Sequence, residues 1–170
     1  MKYTSAEAAK LLRKLNSDLA SLNDMENQSR EFLASVGEDP ETVRPEYDYA
    51  AVQEESTLIE GKIRTVKHAI NVFNTTHKVP GFDMTIDEML VYIPQLTNRS
   101  RKLYDMKSKL PKTRDNAGSY GRGGNIIDYR YANYDIKAAE ADYEKITDEL
   151  SRAQTALDLI NSTETIDIEI

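Results

Sequence analysis

The chain has 170 residues, with 22 basic and 29 acidic side chains, two His and no Cys. That length suits one domain. The lack of thiols excludes a disulfide framework, a thiolate metal site and a cysteine nucleophile, and two His argue against a His-rich zinc site. No run reaches the ~18 apolar residues of a membrane span, and the opening Met1-Lys2-Tyr3-Thr4-Ser5-Ala6-Glu7 meets an acid before any apolar stretch, so no signal peptide is read. The expected protein is soluble and cytoplasmic, with no membrane partner.

Charge is unevenly placed. Residues 1–60 hold 6 basic and 13 acidic side chains, and residues 138–170 hold 2 and 9. Residues 99–137 hold 10 and 4, a basic segment inside an acidic chain. Affinity for phosphate backbones scales with the cations presented, so duplex nucleic acid is disfavoured as a partner. A small anion, or an acidic patch on another copy, suits that segment better.

The first predicted helix spans residues 5–36. Thr4-Ser5-Ala6-Glu7 reads as a capping box, and Ala8, Leu12, Leu15, Leu19 and Leu22 recur at spacings of four and three. Met25, Phe32 and Val36 continue the stripe after a slip, and Gly37 is a plausible stop. Residues 37–45 carry Pro40 and Pro45 and read as a linker. A second helix is predicted over 46–76, with Val52, Ile59, Ile63, Val66, Ile70 and Phe73 as its stripe. A third, over 85–110, opens on a second capping box, Thr85-Ile86-Asp87-Glu88. Pro94 is expected to kink or split it.

Residues 111–134 form a Gly-rich, Tyr-rich loop or hairpin, in which Asn125 to Tyr131 has strand-forming character. The fourth helix, over 135–161, has the cleanest period. Ile136, Ala139, Tyr143, Ile146, Leu150, Ala153, Leu157 and Ile160 alternate spacings of three and four, a heptad seam expected to pack on the first helix or on a second copy. Thr165 to Ile170 alternates strictly, which suits a strand added to the 118–134 hairpin or to another copy, or a loose tail. The expected fold is therefore mainly α: elongated antiparallel helical hairpins or a bundle with coiled-coil character, and a small β-hairpin insertion near residues 118–134.

No catalytic constellation is found. The paired carboxylates Glu54-Glu55, Asp87-Glu88 and Asp148-Glu149 read as solvated helix faces, and no Glu stands three residues before His68 or His77 to build a di-iron site. No nucleophile elbow and no P-loop occur. An enzyme is not expected, and no cofactor. The stronger lead is Gly118-Ser119-Tyr120-Gly121-Arg122-Gly123-Gly124, which shares only its composition with phosphate-cradling loops. Guanidinium forks match phosphate or carboxylate oxygens, and Tyr rings offer a face to a base. The expected ligand-binding residues are Arg114, Tyr120, Arg122, Asn125, Arg130 and Tyr131, with Arg99 and Arg101 nearby. Arg114, Arg122 and Arg130 would neutralise phosphate, Tyr120 and Tyr131 would stack, and Asn125 would hydrogen-bond.

Several short segments resemble the septicolysin-like family of small bacterial and phage proteins. Ile70-Asn71-Val72-Phe73-Asn74 resembles its I-N-x-T-N signature, with Phe73 in place of Thr. Met84-Thr85-Ile86-Asp87-Glu88-Met89-Leu90 resembles the opening of its third helix, although Pro94 departs from the R-D-x-L that follows there. Ile136-Lys137 and Asn161-Ser162-Thr163-Glu164 are similar to its last helix, with Ser162 in place of Trp. The resemblance, from about residue 50 onward, implies a helical fold with a small β element. The family name suggests a cytolysin, but the chain has no hydrophobic hairpin and no basic amphipathic helix.

The functional expectation is a non-enzymatic homo-oligomer that sequesters a small anionic, nucleotide-like ligand. If phage-encoded, it would act in the host cytoplasm as an anti-defence sponge. The alternative is a structural or protein–protein module acting through its heptad helices, with no small-molecule ligand.

Overall fold

A computed structural model of the chain describes residues 1–115 and 128–170. The fold is mainly helical with two small antiparallel β-pairs. It divides into two compact units, Met1–His77 with Leu159–Ile170, and Lys78–Asp158.

In the first unit, α1 (Ser5–Ser29) and α3 (Tyr49–Thr76) form a helical hairpin. The Thr4 capping box closes as expected, with Thr4 Oγ1 accepting from Glu7 N–H and the Glu7 carboxylate accepting from Thr4 N–H. Ala8, Leu15 and Leu22, each seven residues apart, are the buried positions of α1, and Val52, Val66 and Phe73 are those of α3. Where α1 ends, the Glu26 carboxylate accepts from Tyr47 Oη at 2.8 Å and Gln53 Nε2 at 2.9 Å, and so fixes the return of the chain.

Several features of this unit differ from expectation. α1 stops at Ser29 rather than residue 36. Asn27 and Ser29 give its last turn little intrinsic preference, and α3 begins only at Tyr49, so residues 30–36 have no helix to pack on. The linker holds a one-turn helix, α2 (Pro40–Val43), because Pro40 stands in its first turn and Asp39 caps it through Glu41 N–H. The alternating tail is paired in its own chain: β4 (Thr165–Asp167) runs antiparallel to β1 (Lys2–Thr4), in the register Lys2 to Asp167, Tyr3 to Ile166 and Thr4 to Thr165. Ile166 and Ile168 point inward and are buried. The three-residue β1 gave no period to read.

In the second unit, α4 (Ile86–Lys107) starts on the Thr85 capping box and buries Ile86, Met89 and Leu96. Pro94 does not split it. Pro94 and Leu90, whose carbonyl loses its helical partner, are both exposed, so water can satisfy that group. α4 stops at Lys107 instead of 110, since Leu110 precedes Pro111 and is steered away from helical backbone. β2 (Lys112–Asp115) and β3 (Asp128–Tyr131) pair antiparallel, matching the expected hairpin insertion. α5 (Ile136–Thr163) carries the heptad seam, and all eight seam residues are buried or half-buried within this chain. Tyr143 on the seam meets Tyr104 of α4 with ring centroids 5.8 Å apart, and Tyr92 of α4 donates to Glu149.

Candidate anion-binding site

The second unit carries an open groove of about 370 Å³ along the C-terminal half of α4. Its wall is one helical stripe: Asn98, Arg101, Lys102, Asp105 and Met106, with Lys109 just beyond the helix. Steps of three and four residues keep these positions on one face. Tyr134 closes the end, its hydroxyl donating to the Met106 carbonyl at 2.8 Å. That bond, with Asp135 accepting from Lys137 N–H at 2.8 Å, ties the start of α5 to the end of α4.

Three cations and one carboxylate face this groove. Asp105 stands four residues from Arg101, three from Lys102 and four from Lys109, spacings that allow helical ion pairs. Such pairs close elsewhere, between Arg44 and Glu41 at 2.6 Å and between Arg64 and Glu60 at 3.8 Å. Among the described residues, none closes in the groove, so its cations are uncommitted.

The hairpin sorts the other expected residues onto two faces. Cross-strand partners share a face, so Lys112, Arg114, Tyr129 and Tyr131 lie together and Thr113, Arg130 and Asp115 lie on the other side. Lys112 Nζ sits 4.0 Å from the Tyr129 ring centroid and 5.5 Å from that of Tyr131. Arg130 pairs with Asp115 at 2.9 Å, and that carboxylate holds the guanidinium above its ordinary pKa.

Of the eight expected site residues, then, Arg101 lines the groove. Arg114 and Tyr131 share an exposed cation-and-ring face, while Arg130 faces away from them and is paired. Arg99 is exposed on α4 outside the groove lining. Tyr120, Arg122 and Asn125 lie outside the described residues. Asn98, Asp105, Met106 and Lys109 went unselected, although their period of three to four was present in the sequence. Lys102 and Tyr134 also line the groove and lie outside the expected set.

His68 is exposed on α3, whereas His77 has structural surroundings. His77 caps α3, stacks on Phe73 with centroids 4.1 Å apart, and its Nδ1 lies 3.0 Å from the Phe73 carbonyl. Of the paired carboxylates, Glu88 completes the α4 cap and Glu149 accepts from Tyr92. Among the described residues, no group of three or more His, Asp or Glu is placed to hold a metal ion, and no helix is long and apolar enough to cross a membrane.

No family model matches the chain, and no curated protein matches it. Among solved structures, the fold is similar to the crystal structure of a functionally unknown conserved protein from Corynebacterium diphtheriae. The two are 14% identical with a TM-score of 0.62, covering 98% of this chain and 100% of that one. At that identity the likeness concerns the fold alone.

Proposed function

We propose that the chain is a non-enzymatic binding protein that sequesters a small anionic, nucleotide-like ligand on its second unit. The observation behind this is the α4 groove, where Arg101, Lys102 and Lys109 converge without ion-pair partners among the described residues. Its volume lies in the ordinary range for small-ligand sites, about 300–1,000 Å³. Phosphate oxygens take the cations, and Asp105 and Asn98 accept from or bond to the donors of a base or sugar. The Tyr129 and Tyr131 face, with Arg114 and Lys112, offers a stacking surface of the kind bases use.

A thermal-shift panel of mono-, di- and cyclic nucleotides, with inorganic pyrophosphate as control, tests the proposal. A ligand that binds only the folded chain raises its melting temperature by linkage. Nucleotides should stabilise the wild type, Arg101→Glu with Lys102→Glu should abolish the shift, and the ligand should be recovered chemically unchanged. No shift with any nucleotide at millimolar concentration sinks the proposal, and turnover of the ligand replaces it with an enzyme.

A further inference from the structure

The α4 groove adjoins the β2–β3 hairpin. Lys109, at the end of the groove, stands three residues before Lys112, and Tyr134, which closes it, stands three after Tyr131. Lys112 and Tyr131 are register partners. The Ala132 N–H donates to the Pro111 carbonyl at 3.1 Å, which carries the pairing one step further toward the groove. The hairpin thus rises from the same two chain segments that close the groove.

One face of that hairpin is suited to bases. Tyr129 and Tyr131 are 46% and 63% exposed. They lie two residues apart on one strand, so their side chains leave the same face about 7 Å apart. One base cannot cover two rings at that spacing. Lys112 Nζ reaches both rings, and Arg114 shares their face. Acids nearby are otherwise engaged or turned away. Asp115 and Asp128 are register partners on the opposite face, where Arg130 neutralises Asp115. Asp135 caps α5, accepting from the Lys137 and Ala138 N–H groups at 2.8 and 3.3 Å. Asp105 in the groove is then the one carboxylate against five cations, Arg101, Lys102 and Lys109 in the groove and Lys112 and Arg114 on the ring face.

We infer, on the premise that the α4 groove holds an anionic nucleotide, that the ligand is a short single strand of nucleic acid. One nucleotide occupies the groove and the next two bases stack on Tyr131 and Tyr129, so the strand is on the order of three to four nucleotides long. Lys112 meets the phosphate that joins the two stacked bases. Cations that track the backbone beside rings that stack successive bases are the common plan of single-strand binders, and stacking tolerates any base. A duplex cannot use the rings, because its bases are already paired and stacked. The chain's net charge of −7 limits the length, since phosphates beyond the hairpin meet repulsion in place of cations.

Calorimetry with thymidine 5′-monophosphate and with oligothymidylates of two, four and eight nucleotides tests this. Affinity should rise about tenfold or more from one nucleotide to four and change little from four to eight. A uridylate series run alongside assigns the sugar, and a rise in either series supports the inference. Tyr129→Ala with Tyr131→Ala should erase most of the rise, whereas Phe at both positions should keep it. Arg114→Glu should reduce the rise while leaving both rings in place. All three residues are exposed, so these variants should keep the wild-type melting temperature. A flat length series, a rise that the Ala variant leaves intact, or a hexaglutamate peptide bound as tightly as the tetranucleotide each overturns the inference. In the flat case the mononucleotide still binds and the groove reading stands. Absence of binding at every length sinks both.

Discussion

Glu7 and Glu88 do the same work at two helix starts. Each carboxylate accepts from the backbone N–H of its capping Thr and, secondarily, from that Thr hydroxyl, which holds its pKa below the ordinary glutamate value. A depressed carboxyl contributes stability that is complete above the unfolded value, about 4.3, and is lost as pH falls through the folded value. Glu88→Gln should therefore lower the urea midpoint at pH 7, and the gap to wild type should close in the acid range below ~4.3. Equal gaps at neutral and acid pH would show that the charge has no part in the cap. Both boxes are legible in the sequence because they close within four residues. The Arg130–Asp115 pair is not legible in that way. It depends on a strand register that joins positions 15 residues apart, and only the folded hairpin shows that Arg130 leaves the face holding Arg114 and Tyr131.

At the scale of elements, period was the reliable guide and length was not. The α5 seam resolves into two columns. Ala139, Ile146, Ala153 and Ile160, at strict seven-residue spacing, are buried, while Ile136, Tyr143, Leu150 and Leu157 are half-buried. That pattern is written in the sequence, but the partner of the seam is not, and the strict seven-residue column is buried within the chain itself. α1 ends short of its apolar stripe for a related reason: Phe32 and Val36 continue the stripe, yet a stripe without a facing helix does not extend one. Phe32 instead lies beneath the Arg44 guanidinium, 5.1 Å from its ring centroid. Alternation of small and large residues along the buried column makes a sharp prediction. Ala153 is fully buried, so Ala153→Leu should overpack the seam and cost about 1–3 kcal/mol, read from urea unfolding. The same substitution at exposed Ala138 should cost well under 1 kcal/mol.

Across the whole molecule, charge separates by unit. Residues 1–77 with 159–170 carry 9 basic and 16 acidic side chains, whereas residues 78–158 carry 13 of each. A basic groove thus stands on a unit with no net charge, in a chain of net charge −7. Local attraction for an anion is strong only within the screening length, about 10 Å at 0.1 M salt, and beyond it the chain repels polyanions. A short ligand fits inside that radius, and a duplex does not. Nucleotide affinity should consequently fall between about 0.05 M and 0.5 M salt as exposed cations are screened, and the Arg101→Glu variant should lose most of that dependence. Duplex DNA at about 0.15 M salt should show no retardation at protein concentrations that saturate with nucleotide. Calorimetry across a salt series and a gel-shift assay on the same preparation check both halves. Salt-independent nucleotide binding would move recognition from the cations to the tyrosine face, and duplex binding would mean that the acidic surplus of the chain does not repel long polyanions.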